Sequence, residues 1–154
     1  YQQSLTITRQ LADTDPGNRD AQRDLTISLT NVAGILQFSD PAAALAHYQQ
    51  SLTITRQLAD TDPGNLQGKR DVMVTLMAIS SLAHQVGLED APDLAREAVS
   101  LAEELAARRQ DRATYGDLAT VLKTAIDVIE ASAPDEAAAM RERQQAVQAA
   151  LDAN

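Results

Sequence analysis

The sequence of 154 residues contains no cysteine. That removes disulfides, thiolate nucleophiles and sulfur-ligated metal sites from consideration. Tryptophan is absent too, and Tyr1, Phe38, Tyr48 and Tyr115 are the only aromatics. A chain this poor in aromatics and rich in Ala, Leu, Gln, Glu and Arg favours helix over sheet. No apolar run approaches the roughly 20 residues needed to span a bilayer as a helix, and no signal peptide is visible. Two histidines, His47 and His84, lack a set of partners for a metal site. Gly17 and Gly64 each follow a proline in a turn, so no phosphate-cradling loop is present. Neither metal nor cofactor is expected. Positive charge is short: 13 Lys and Arg stand against 22 Asp and Glu, a net −9. This argues against nucleic acid or an anionic membrane as partner. The expected location is cytoplasmic.

What is present is apolar and repetitive. Hydrophobic residues make up 44% of the chain, too many for a disordered segment. Residues 1–86 carry six basic and eight acidic side chains, and residues 87–154 carry seven and fourteen. The acidic surplus of the second part reads as a solvated surface or as a face for a basic partner.

The phrase YQQSLTITRQLADTDPGN occurs at residues 1–18 and again, letter for letter, at 48–65. The step of 47 persists beyond it: Arg23-Asp24 recurs as Arg70-Asp71, and Leu25, Leu29 and Val32 map onto Val72, Leu76 and Ile79. A further step of 46 takes Asp71 to Asp117 and Leu76 to Leu122, and a shift of 93 joins Pro41 to Pro134. Fixed periods of 20–50 residues signal solenoids or other repeat arrays.

Each unit holds two helical patterns. Leu25, Leu29, Val32 and Leu36 form one apolar stripe, and Leu45, Tyr48, Leu52, Thr55 and Leu58 form a second. Ala44 and Ser51 interrupt the second stripe with small side chains that permit close helix approach. Asp40-Pro41 reads as an N-cap with proline at the first helical position. Asp15-Pro16-Gly17-Asn18 and Asp62-Pro63-Gly64-Asn65 read as helix stops, and Ser132-Ala133-Pro134-Asp135 has capping-box spacing. Seven helices are predicted, at about 1–14, 18–38, 41–61, 65–86, 91–109, 112–131 and 134–152. Around Arg108–Arg112, where the Pro-Gly stop is lost, the two flanking helices could be partly continuous. The expected domain is single: a half repeat at 1–16, then repeats at about 17–63, 64–110 and 111–154. The last helix, with its thin apolar line of Met140, Val147 and Leu151, is expected to be a terminal cap with a polar outer face, the alternative being a surface for a partner helix. Residues 41–47 have no counterpart before Tyr1, so the chain is expected to be a fragment of a longer array.

The stretch AAALAHYQQSLTITRQLADTDPGN resembles a tetratricopeptide repeat, with Ala44, Tyr48, Ser51 and Pro63 at the small, aromatic and closing-proline positions. Val32-Ala33 fits the apolar-small pair of that family's first helix. The repeated phrase is most similar to kinesin-light-chain repeats and to long repeats of bacterial signalling proteins. The usual period is about 34 residues, so the extra residues here imply helices longer by nearly two turns each. The resemblance implies an all-α, right-handed superhelix of about seven antiparallel helices. Its first helices would line a concave face that binds proteins or peptides without catalysis.

Heptad spacing places Arg23, Thr30 and Gln37 on one face opposite the apolar stripe. Steps of one repeat lead to Arg70, Met77 and His84, and then to Gly116, Lys123 and Glu130. Arg23, Thr30, Gln37, Arg70, Met77, His84 and Lys123 are the candidate ligand-binding residues of this lane, able to meet the amides and a carboxylate of an extended peptide. The alternative is an ordinary solvated face. The recurrence of Arg23-Asp24 and Arg70-Asp71 in register argues for a structural pair between adjacent helices. Catalysis by His47 or His84 would need a positioned acid or nucleophile, and spacing singles out none. A scaffold or sensor module binding a protein or peptide is therefore expected. The competing reading is a structural spacer or self-assembling array, a homo-oligomer formed through the exposed N-terminal repeat face.

Overall fold

The computed structural model describes residues 2–62 and 64–153. Tyr1, Asn154 and the closing proline Pro63 lie outside them. The described residues form seven helices and no strand: α1 (Gln2–Thr14), α2 (Arg19–Leu36), α3 (Pro41–Asp60), α4 (Leu66–Gln85), α5 (Ala91–Arg109), α6 (Arg112–Ile129) and α7 (Pro134–Asp152). Residues 1–75 and residues 76–154 form two compact units, with the division inside α4.

In the first unit α1 and α3 both pack on α2. Leu25, Leu29 and Val32, the predicted stripe, join Leu5 and Ala12 of α1 in one core, with Leu36 and Ile54 at its edge. Of the second stripe Tyr48, Leu52 and Thr55 are buried, together with the small residues Ala44 and Ser51, while Leu45 and Leu58 are half-buried. The small residues act as expected. Ser51 is 0% exposed, and its hydroxyl donates to the Thr26 carbonyl at 3.4 Å. Burial pushes the Tyr48 phenol above its ordinary pKa, as befits a core aromatic. Gly68 brings α4 down onto α3. A Cβ there would stand 3.4 Å from the Cα of Ala59, in direct contact with that helix.

In the second unit α6 packs on α5 and α7. It buries Leu118, Val121, Leu122, Ala125, Ile126, Val128 and Ile129. The facing residues include Ala95, Ala98, Ala102 and Leu105 of α5 and Ala137 and Met140 of α7. The second half of α4 contributes Leu76, Ile79 and Leu82 to the buried set, and the Ser80 hydroxyl donates to the Ala91 carbonyl at 2.9 Å.

The caps repeat with the sequence. Asn18, Asn65 and Asp111 each accept, through Oδ1, the backbone N–H three residues on, from Ala21, Gly68 and Thr114. Asp40 does the same for Ala43. Two expectations are refined. The Arg108–Arg112 boundary is a sharp break, because Gln110 takes a left-handed conformation (φ 51) and Asp111 caps the next helix. Ser132 is not the N-cap of α7. Pro134 occupies a first-turn position, the cap falls on Ala133 without a side-chain bond, and the Ser132 hydroxyl turns back to the Ile129 carbonyl.

Contacts recur at the sequence shift of 93. The Arg19 guanidinium donates to the Leu58 carbonyl at 3.4 Å, and Arg112 donates to the Leu151 carbonyl at 2.8 Å. Arg9 donates to Gln50; Arg143, a shift of 93 from Gln50, donates to Glu103, which lies two steps of 47 from Arg9. With α2, α4 and α6, which carry the Leu25-like stripe, called first-type helices and α1, α3, α5 and α7 second-type, each unit therefore builds the same second-type, first-type, second-type arrangement. The two copies of the repeated phrase are not equivalent, however: Ser51 is fully buried, whereas Ser4 is exposed. Ser51→Leu should overpack its site and lower stability by about 1–3 kcal/mol. Ser4→Leu, the same change in the same local sequence, should shift it by less than about 0.5 kcal/mol. Urea unfolding of the two variants checks the contrast.

Candidate functional site

The predicted lane falls on first-type helices but is not uniform. Arg23 is exposed, and its Nε donates to Asp71 Oδ2 at 3.2 Å, tying α2 to the start of α4. This is the inter-helix pairing expected from the recurring Arg-Asp doublets, made between one repeat's Arg and the next repeat's Asp. Thr30 is half-buried, and its hydroxyl donates to the carbonyls of Thr26 and Ile27. The Gln37 amide donates to the Gly34 carbonyl. Arg70 is half-buried beside Asp71. In the second unit Met77 is half-buried, while His84 and Lys123 are exposed. Glu130, next on that lane, pairs with Arg141 of α7.

The structure gathers a more complete polar site around Arg23. A cleft of about 360 Å³ lies where the start of α2, the end of α3 and the start of α4 meet. It is lined by Arg19, Asp20, Arg23, Asp62, Asn65, Gln67 and Asp71 above a floor of Leu58 and Gly68. Local chemistry explains each position. Asn65 is held by its capping bond to Gly68. Gln67 lies one turn before Asp71 and donates to its Oδ1 at 2.8 Å, so Asp71 receives both the amide and the Arg23 guanidinium. Arg19 is fixed by the Leu58 carbonyl. Of the predicted lane, this lining includes Arg23 and neither Thr30 nor Gln37. Sequence reasoning missed Arg19, Asn65 and Gln67. The signal for Arg19 was its recurrence as Arg112 at the shift of 93.

The second unit carries a different feature, an ion-pair ladder between its second-type helices. Arg96 of α5 makes a forked contact with Glu136 of α7, Nε to Oε1 at 3.0 Å and Nη2 to Oε2 at 2.9 Å, and also reaches Asp93. Glu103 and Arg143 form the next rung. The Arg96 bonds hold the Glu136 carboxyl below the usual carboxylate range. The Asp111 carboxyl is also lowered, first by the Thr114 backbone N–H and then by the Thr114 hydroxyl. Asp93, Glu103, Glu104, Asp111, Glu130 and Glu136 are thus each paired with an arginine of the same unit. Among the described residues no group of three or more His, Asp and Glu is placed to hold a metal, and no helix is long and apolar enough to cross a membrane.

Comparison with family models, with curated proteins and with solved structures found no match. The functional reading rests on the residues themselves.

Two measurements follow from this geometry. The Glu136 pKa is depressed in the folded chain, so its contribution is complete above the unfolded carboxylate value of about 4.3 and disappears as pH falls through the folded value. Glu136→Gln should lower stability at pH 7 by at most about 1 kcal/mol, the scale of a solvent-screened pair. Its deficit relative to the parent should narrow as the pH is lowered below about 4.3, as read from urea midpoints. For Arg23 and Asp71, a double-mutant cycle to alanine should return a coupling of about 0.2–1 kcal/mol that shrinks in 1 M salt.

Proposed function

We propose that the chain is a non-catalytic interaction module that stacks its helices in the manner of tetratricopeptide repeats and binds a peptide or partner helix along its first-type helices. The observation that supports this reading best is the cleft of Arg19, Arg23, Asn65, Gln67 and Asp71. It offers guanidinium and amide donors beside carboxylate acceptors within one small concavity. A peptide main chain presents N–H and C=O groups alternately and suits such a mixed lining. A phosphate would meet Asp20, Asp62 and Asp71, and a cation would meet two arginines. Arg70 is a further proposed contact in the first unit, and Met77, His84 and Lys123 are proposed contacts in the second. The tetratricopeptide likeness stands on Ala44, Tyr48 and Ser51. The structure buries all three, as close packing of repeat helices requires.

Selection from a displayed library of random peptides against the whole chain tests this. Enriched peptides should lose at least about tenfold in affinity, or 1.4 kcal/mol, when Arg23→Ala and Arg70→Ala are combined. The melting curve should remain cooperative. Enriched peptides that bind the double variant undiminished, or a selection that enriches nothing, would refute the reading.

A further inference from the structure

Two helix junctions of the chain follow one plan. At the start of α2 the Arg19 guanidinium donates to the Leu58 carbonyl of α3, and at the start of α6 Arg112 donates to the Leu151 carbonyl of α7. Ile54 and Leu58 are half-buried at the first junction, and so are their counterparts at the shift of 93, Val147 and Leu151, at the second. The junctions differ three residues after the arginine. The second unit has Tyr115 there, half-buried, and the first has Gln22. Gln22 spends its amide on the Ala12 carbonyl of α1 at 3.2 Å. Beside it lies a cleft of about 380 Å³, bounded in part by Pro16 and Gly17 of the α1–α2 turn, by Arg19 and Gln22, and by Ile54 and Leu58. All of these residues belong to the first unit.

We propose that this cleft binds a single aromatic ring of tyrosine size. Its volume suffices, since an aliphatic cavity of about 150 Å³ takes up benzene and small-molecule sites begin at about 300 Å³. Its walls suit a ring. Ile54 and Leu58 offer apolar surface, and the bond to the Leu58 carbonyl holds the Arg19 guanidinium in place as a flat cation of the kind that stacks on aromatic faces. The chain itself supplies a ring at the matching position of its second unit, where Tyr115 follows the same arginine contact. In the first unit the ring must come from a ligand, because neither Phe38 nor Tyr48 lines the cleft. The polar cleft lies across Arg19 and Leu58, which line both. The ring site goes beyond the peptide-binding reading and holds whether or not a peptide occupies the polar cleft.

Such a ring reaches the cleft as a free phenol or as a tyrosine side chain, and the choice of probes separates the two. 4-Methylphenol, N-acetyltyrosinamide and an aliphatic control, N-acetylleucinamide, are each titrated into the whole isotope-labelled chain and followed by NMR. 4-Methylphenol should shift the Gly17 backbone amide and the Gln22 side-chain amide saturably, with a Kd of about 1 mM or below. Its ring protons should show intermolecular Overhauser contacts to the methyl groups of Ile54 and Leu58. N-Acetyltyrosinamide binding at least as tightly assigns the site to a side chain of a partner, and weaker binding assigns it to a free phenol. Gln22→Tyr, which sets the second unit's ring into the cleft, should weaken binding at least about tenfold. The Overhauser contacts are read on the unaltered chain, so the test does not hang on how that variant folds. The proposal is overturned by no saturable shift at about 10 mM, by ring contacts elsewhere than Ile54 and Leu58, by N-acetylleucinamide binding as tightly as the phenol, or by undiminished binding to folded Gln22→Tyr.

Discussion

Each second-type helix has two flanks to cover, and one neighbour covers only one of them. The rest of the structure follows from that constraint. α3 buries the Ser51 side against α2, and it meets the start of α4 at Ala59 through the missing side chain of Gly68. α1 has the same sequence and only α2 beside it, and its Ile7 and Leu11 stand in solvent. The comparison holds sequence constant and varies the neighbour, so the difference in burial belongs to packing alone. Ile35 repeats the lesson on a first-type helix. It is 50% exposed, while its counterpart Val128 is 4% exposed. Most helical stability in proteins comes from such covered faces rather than from intrinsic propensity.

Close approach is the second requirement, and small residues meet it. Ala44 and Ser51 are fully buried, although neither has much apolar surface to hide. Their role is to let two backbones come near enough for a hydroxyl on one helix to reach a carbonyl on the other. In α5 the same positions are Ala91 and Ala98, again buried. The hydroxyl bond is gone there but the short side chain remains. The polar contact is therefore dispensable and the small volume is not.

Helix bounds and apolar stripes were legible because they depend on local signals: the 3.6-residue period, proline at the first helical position, and Asn or Asp before it. The caps Asn18, Asn65 and Asp111 stand at successive repeat steps, but the sequence marked the first two only as parts of helix stops. Where the logic failed, a competing local rule decided. Ser132 had the right spacing for a cap, but Pro134 fixed the cap one residue later. The candidate site was less legible. Arg23 was found because it opposes an apolar stripe, and its partner Asp71 because the Arg-Asp doublet recurs. Arg19, Asn65 and Gln67 were missed because they belong to helix starts. There, side-chain direction is set by capping geometry and by the approach of a third helix, and heptad spacing describes neither.

The erosion of the repeat toward the C-terminus has a physical counterpart in the contacts between second-type helices. Arg9 meets the Gln50 amide in the first unit, and in the second Glu103 meets Arg143, the cation having moved to the other helix. The arrangement preserves a contact, and the residues that make it are exchangeable so long as donor faces acceptor. Identity fades faster than geometry on this surface because an exposed pair contributes little, and many pairings serve. Along the buried flank fewer substitutions are tolerated, since added volume must displace backbone. Ser51 is matched there by Ala98, another small residue. The second unit adds more such pairs, with Arg96, Arg141 and Arg143 taking up Glu136, Glu130 and Glu103. The helices there gain cross-ties without demanding anything new of the core.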